Sequence, residues 1–216
     1  MATRGRPRTF SREKALKVAM ELFWALGYEG TTLAELQKAM GGITAPSFYA
    51  AFGSKEELFR EVVQEYMDTV GAPIIRALME GSTARASVDG LLRAAAVSVS
   101  LKGRPRGCLI TLGDINCTPE HKNVQELLRR HRAQRRKVIL QRLERGVAEG
   151  DVPRGVDIGT IASFYVAIGD GLALQARDGA SRKMLEAIVD SAMMAWDGLE
   201  SRGGSARRRS LRVASS

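Results

Sequence analysis

Apolar residues recur at three- and four-residue steps along most of this chain, the period of helices with one buried face. In the first such stretch Ala15, Val18, Ala19, Leu22, Phe23 and Leu26 form a stripe that stops at Gly27, and Ser11 stands at the N-cap position. Thr32 followed by Glu35 is a capping box opening a second helix from Leu33 to Met40, and Gly41-Gly42 ends it with residues free to take positive φ. A third helix begins at once. Thr44 caps it, Pro46 sits in its first turn where a missing N–H costs nothing, and Phe48, Tyr49 and Phe52 anchor it. Ser54 with Glu57 repeats the capping-box spacing. A short helix, a glycine turn and a second short helix form the helix-turn-helix layout, whose second helix enters the DNA major groove.

Beyond Ser54 the helical period continues through Leu58, Val62, Tyr66 and Val70 to about Leu78, perturbed at Gly71 to Pro73. Gly81 to Thr83 mark a break, Val88 to Leu101 is a further apolar helix, and Lys102 to Gly107 is a loop. Leu109 to Leu112 alone resembles a strand, but Thr118-Pro119 and the helix that follows favour a short helical turn. Val124 to Glu149 is helical with Leu127, Leu128, Val138, Leu143 and Val147 inward. Asp157 caps a helix through Gln175, and Ser181 caps the last, to about Leu199. The expected fold is all-α.

Four spaced elements carry a family resemblance: Glu21-Leu22-Phe23 with Gly27-Tyr28; Thr31-Thr32-Leu33; Tyr49 to Phe52; and Ser54-Lys55-Glu56-Glu57-Leu58-Phe59. Together they make residues 10–66 similar to the N-terminal domain of the TetR family of bacterial transcriptional regulators. The resemblance implies a three-helix helix-turn-helix DNA-binding domain over residues 10–53 and a C-terminal helical ligand-binding and dimerisation domain over 54–200. It implies a homodimer that binds double-stranded operator DNA as a repressor and is released by a small-molecule effector. It also puts Thr32, Tyr49 and Lys55 at DNA phosphates; base-edge contacts are expected from Thr44, Ala45 and Ser47 at the start of the third helix, with Pro46 also in the DNA-binding set. Ala45, Ala50 and Ala51 stand where many relatives carry lysine, histidine or larger aromatics, so direct readout is expected to be thin. In such regulators the last two long helices pair with their copies, which nominates Ile161, Tyr165, Leu172, Leu185, Ile188, Val189 and Trp196 for the dimer interface. Leu109, Leu112, Cys117, His131, Phe164 and Ile168, on apolar faces near breaks, are the expected effector lining, and that lining suits a small apolar or aromatic effector.

Charge adds a second DNA-binding element. The segment 1–14 and the segment 201–216 together account for the whole formal net charge of +9, so the middle of the chain is close to neutral. Residues 1–9 form a basic arm in which Arg4-Gly5-Arg6-Pro7-Arg8 resembles an AT-hook core, with Arg4, Arg6 and Arg8 suited to a narrow minor groove. Residues 201–216 read as a disordered basic tail. The cluster Arg129, Arg130, Arg132, Arg135, Arg136 and Lys137 reads as a solvated face balanced by Glu126, Glu144 and Glu149.

Other chemistries find little support. Cys108 and Cys117 suit a reducing compartment as two free thiols, and a thiol-redox sensor built on that pair is an alternative. Cys117 with His121 has metal-ligand spacing and His131 offers a third donor, but a chain with 2 histidines is expected to hold no metal and no cofactor. No Ser/His/Asp grouping and no phosphate-binding glycine loop point to an enzyme. An architectural DNA-binding protein without an effector is a further alternative. No apolar run approaches the roughly 18 residues of a membrane span, so a cytoplasmic protein is expected.

Overall fold

The computed structural model describes residues 11–213, with side chains described to Gly198; the arm with Arg4, Arg6 and Arg8 lies outside the described residues. Helix α1 (Arg12–Gly30) is capped by Ser11, whose side chain accepts from the Lys14 N–H at 3.4 Å. It is kinked at Gly27, whose φ of +73° lets the chain turn where a side chain would be strained. Helices α2 (Leu33–Ala39) and α3 (Ala45–Phe52) follow, joined through Gly41 and Gly42, both at positive φ. Helix α4 (Lys55–Tyr66) starts at Ser54, which accepts from the Glu57 N–H at 3.0 Å. Phe23 meets Phe59 edge-on at 4.9 Å and Tyr28 meets the same ring at 5.1 Å. Around these rings Leu36, Phe48, Leu58 and Val62 close one core.

The expected long helix after Ser54 is divided. A π-helical turn, Met67–Gly71, separates α4 from α5 (Ala72–Glu80). The cause is Pro73, which has no N–H for the carbonyl four residues back, so the ladder widens before it resumes. Helix α6 (Ala84–Val99) starts earlier than its apolar pattern suggests because Thr83 caps it, accepting from the Ala86 N–H at 3.1 Å. The run Leu109–Leu112 is a single helical turn, α7. Helix α8 (Lys122–Glu149) is followed by α9 (Ile158–Arg177), capped by Asp157, and α10 (Arg182–Val213). The backbone of α10 therefore continues past Ser201, where composition suggested a disordered tail; Gly203 and Gly204 are weak formers, and the alanine and arginines after them favour helix.

A second core joins α5, α6, α8, α9 and α10 through residues such as Leu92, Ile139, Leu143, Leu172, Val189 and Trp196. This core takes up most of the residues expected at the interface: Ile161, Tyr165, Leu172, Leu185, Val189 and Trp196 are buried inside the chain, and the partly buried Ile188 packs against them. Both helices also carry apolar residues on their exposed side. The outward stripe consists of Phe164, Gly171 and Leu174 on α9, with Met184, Ser191 and Met194 on α10; Met194 is 71% exposed. Helix α9 also departs from the expectation that no segment has membrane-span character: it is long and apolar enough by length and composition. Its isoleucines, leucines and alanines raise the average while Tyr165, Leu172 and Ala176 face the chain's own core.

Candidate nucleic-acid interface

The outward face of α3 is small, polar and uncharged. Phe48 and Phe52 anchor the helix in the core, leaving Thr44, Ala45, Pro46, Ser47 and Tyr49 exposed. Thr44 caps α3: its hydroxyl accepts from the Ser47 N–H at 3.4 Å and lies 3.0 Å from the Ser47 hydroxyl. Tyr49 is 51% exposed and its ring stands edge-on to Phe48 at 5.6 Å, which fixes where the phenol projects. Thr32 forms the expected capping box: Glu35 accepts from its N–H and its hydroxyl, both at 2.7 Å, and the Thr32 hydroxyl accepts from the Glu35 N–H at 3.2 Å. Those bonds commit both Thr32 donors, so the N–H groups at the start of α2 beyond it are the better phosphate partners.

Lys55 opens α4 but does not extend freely. Its ammonium sits 4.2 Å over the Tyr28 ring, half-buried, and burial pulls its pKa below the ordinary lysine value. Glu29, the Cys117 thiol and Glu35 act in the opposite direction. Arg12, which the sequence pattern did not single out, fastens the headpiece. It donates to the Ala51 carbonyl at 3.2 Å and to Glu61 at 2.6 Å, and lies 5.0 Å over the Phe52 ring. Its partners are distant in sequence, so no local motif marks it.

Residues 15–62 match the model for bacterial regulatory proteins of the tetR family, and residues 85–192 match that of the tetracyclin repressor-like C-terminal domain. The chain belongs to the tetR family. It is 33% identical over 195 residues to the HTH-type transcriptional repressor ComR of Escherichia coli (strain K12), across 90% of this chain and 92% of that protein. Among solved structures, the TetR family regulator CifR, as a cysteine mutant complexed with 26 bp double-strand operator DNA, is 41% identical with a TM-score of 0.84. The match covers 88% of this chain and 100% of that one. A TetR regulator from Rhodococcus sp. RHA1 is 38% identical with a TM-score of 0.58, covering 84% and 96%.

In this family member the headpiece is tied to the C-terminal domain by the segment from Gly107 to His121. The Trp24 indole donates to the Gly107 carbonyl at 3.1 Å and the Tyr28 N–H donates to Gly113 at 2.9 Å. Glu29 accepts from the Thr118 N–H at 3.0 Å and pairs with His121 Nδ1 at 2.6 Å, and these partners hold its carboxyl below the usual range.

None of the six expected effector liners borders the mid-domain cavity. Leu109 is fully buried in the headpiece-side core, Leu112 is buried, and Cys117 packs beside them. His131 is partly buried with its pKa lowered by desolvation, Ile168 packs on the other core, and Phe164 is exposed. That cavity, of about 60 Å³, lies where α4, α5, α6, α8 and α9 meet, lined by Tyr66, Leu91, Cys108, Arg135, Ile139 and Tyr165 among others. Tyr66 and Arg135 were legible only as a buried-face aromatic and a member of a basic run. Both cysteines are free and half-buried. Burial, Glu29 and Asp114 push the Cys117 thiol up to about 11. Among the described residues no three His, Cys, Asp or Glu side chains are grouped to hold a metal ion.

Proposed function

We propose that this protein is a cytoplasmic homodimeric repressor that binds an inverted-repeat operator through α3 and leaves it when a small molecule occupies the mid-domain cavity. The observation that carries the reading is the near full-length similarity to a regulator solved on operator DNA, combined with an exposed α3 face free of competing charge. Two recognition helices one DNA turn apart require a two-fold dimer, and the apolar outward stripe of α9 and α10 supports one. The effector acts by binding the DNA-incompetent state more tightly, since equal affinity for both states shifts nothing. A thiol-redox trigger is less well supported, because a thiol raised to about 11 holds little reactive thiolate near neutrality.

Selection of bound fragments from the source genome, then titration of the best fragment against a scrambled duplex, tests this. An enriched inverted repeat bound roughly 10³-fold over the scramble is expected. In the same assay Tyr49→Ala should weaken operator binding by roughly tenfold while the dimer persists. Uniform, steeply salt-sensitive binding with no repeat, or full affinity in Tyr49→Ala, would refute the reading and favour an architectural role.

A further inference from the structure

We infer that the mid-domain cavity takes a small, electrically neutral ligand with an apolar body and one hydrogen-bond acceptor, such as a carbonyl or ether oxygen, bound to the Arg135 Nε–H. Its role as an effector rests on the repressor reading above; the ligand class does not. Three observations lead there. The cavity, about 60 Å³, is far below the 300–1,000 Å³ of drug-sized pockets, so it admits a handful of non-hydrogen atoms. Its walls are mainly apolar, from Ile74, Leu91, Val99, Ile139 and Val166. The one charged residue on the wall is Arg135, and its charge is already matched: its Nη2 donates to Asp170, which also accepts from the Thr111 hydroxyl at 2.8 Å.

The Arg135 Nε–H is, in addition, a buried donor without a hydrogen-bond partner among the described residues. Leaving such a donor unpaired is costly, so an acceptor placed against it is favoured. The phenol of Tyr66 is not the free group. Its environment includes the Cys108 thiol and the Leu109 N–H as hydrogen-bonding partners, and burial keeps it protonated. An anion entering the cavity would compete with Asp170 for a guanidinium that is already paired and would lose its own hydration. A cation would face the guanidinium with no carboxylate on the wall to offset it.

Three probes of the same size and trigonal shape separate these cases: acetone, isobutene and acetate. The full-length, 15N-labelled dimer is titrated with each while the Arg135 Nε–H resonance is followed, assigned by its loss in Arg135→Lys. Acetone is expected to shift that resonance and to bind roughly tenfold more tightly than isobutene, with acetate leaving it in place. In Arg135→Lys, which retains the charge opposite Asp170, the acetone preference over isobutene should fall to about one while isobutene still binds; that separates a lost donor from a lost fold. Acetate binding as tightly as acetone, isobutene matching acetone in the unsubstituted protein, or no response to acetone at high concentration overturns the inference. Titration in the presence of the operator fragment distinguishes the two readings. Acetone bound at Arg135 with operator affinity unchanged supports the ligand class and overturns the effector role.

Discussion

Arg142 shows how one buried charge joins two helices and the loop after α8. It is 4% exposed on α8, its Nε donates to the Ser87 hydroxyl on α6 at 2.7 Å, and its Nη atoms lie 3.7 Å from Asp151 and 4.0 Å from Glu149. Asp151 in turn accepts from the Ala84 N–H at 2.7 Å, at the start of α6. Removing the guanidinium leaves Asp151 without its cation and opens a void, so Arg142→Ala is expected to cost about 3–5 kcal/mol in urea unfolding. Arg142→Met refills the volume and should recover about 1–2 kcal/mol of that loss; equal losses in both variants would show that charge alone matters. Glu29 gives a pH-dependent counterpart. Its folded pKa lies below the ordinary 4.5, first because the Thr118 N–H bonds it, so its stabilisation is complete above about pH 4.5 and is lost as pH falls through the folded value. The stability difference between the native chain and Glu29→Gln, measured by denaturant unfolding across acid pH, should therefore shrink below pH 4.5. A constant difference down to strongly acidic conditions would contradict the assignment.

At the scale of elements, the junction between headpiece and C-terminal domain turns on Gly27. Its φ of +73° redirects the end of α1, and a Cβ there would sit 3.2 Å from the Gly113 carbonyl oxygen that the Tyr28 N–H bonds. Gly27→Ala thus combines left-handed strain with a crowded backbone contact and is expected to cost about 1–3 kcal/mol. By calorimetry that lowers the thermal midpoint by roughly 2–4 °C per kcal/mol for a domain of this size; an unchanged midpoint would mean that the kink relaxes freely. Local signals made most helices readable. The caps at Ser11, Thr32, Thr44, Ser54, Asp157 and Ser181 all stand where their hydroxyl or carboxyl spacing places them. The headpiece face was legible because α3 alternates aromatic anchors with small exposed residues. The π-turn was not, because it depends on how the ladder adjusts around Pro73. Neither were the cavity and the Arg12 fastening, since each is assembled from residues tens of positions apart.

At the scale of the whole molecule, α9 and α10 carry an exposed stripe that the chain's own core does not use. Phe164, Gly171 and Leu174 on α9 run beside Met184, Ser191 and Met194 on α10, all exposed, at helical spacing. Periodicity located both helices but left their inward and outward stripes equivalent, and only the packing of Tyr165, Leu172 and Trp196 into the chain's own core breaks the tie. Gly171 offers a clean test of the outward assignment, because a Cβ there meets nothing within 4 Å in its own chain. Gly171→Glu should therefore leave the protomer folded, with helix propensity improved by a few tenths of a kcal/mol. If the stripe is the self-interface, the same change buries a carboxylate against its symmetry copy and should convert the dimer to a monomer in sedimentation equilibrium. Operator affinity should then fall by about 10²–10⁴, the loss expected when two linked half-site contacts become one. A folded Gly171→Glu protein that remains dimeric would move the interface to another face. One that is monomeric yet binds the operator at full strength would show that DNA recognition does not depend on pairing.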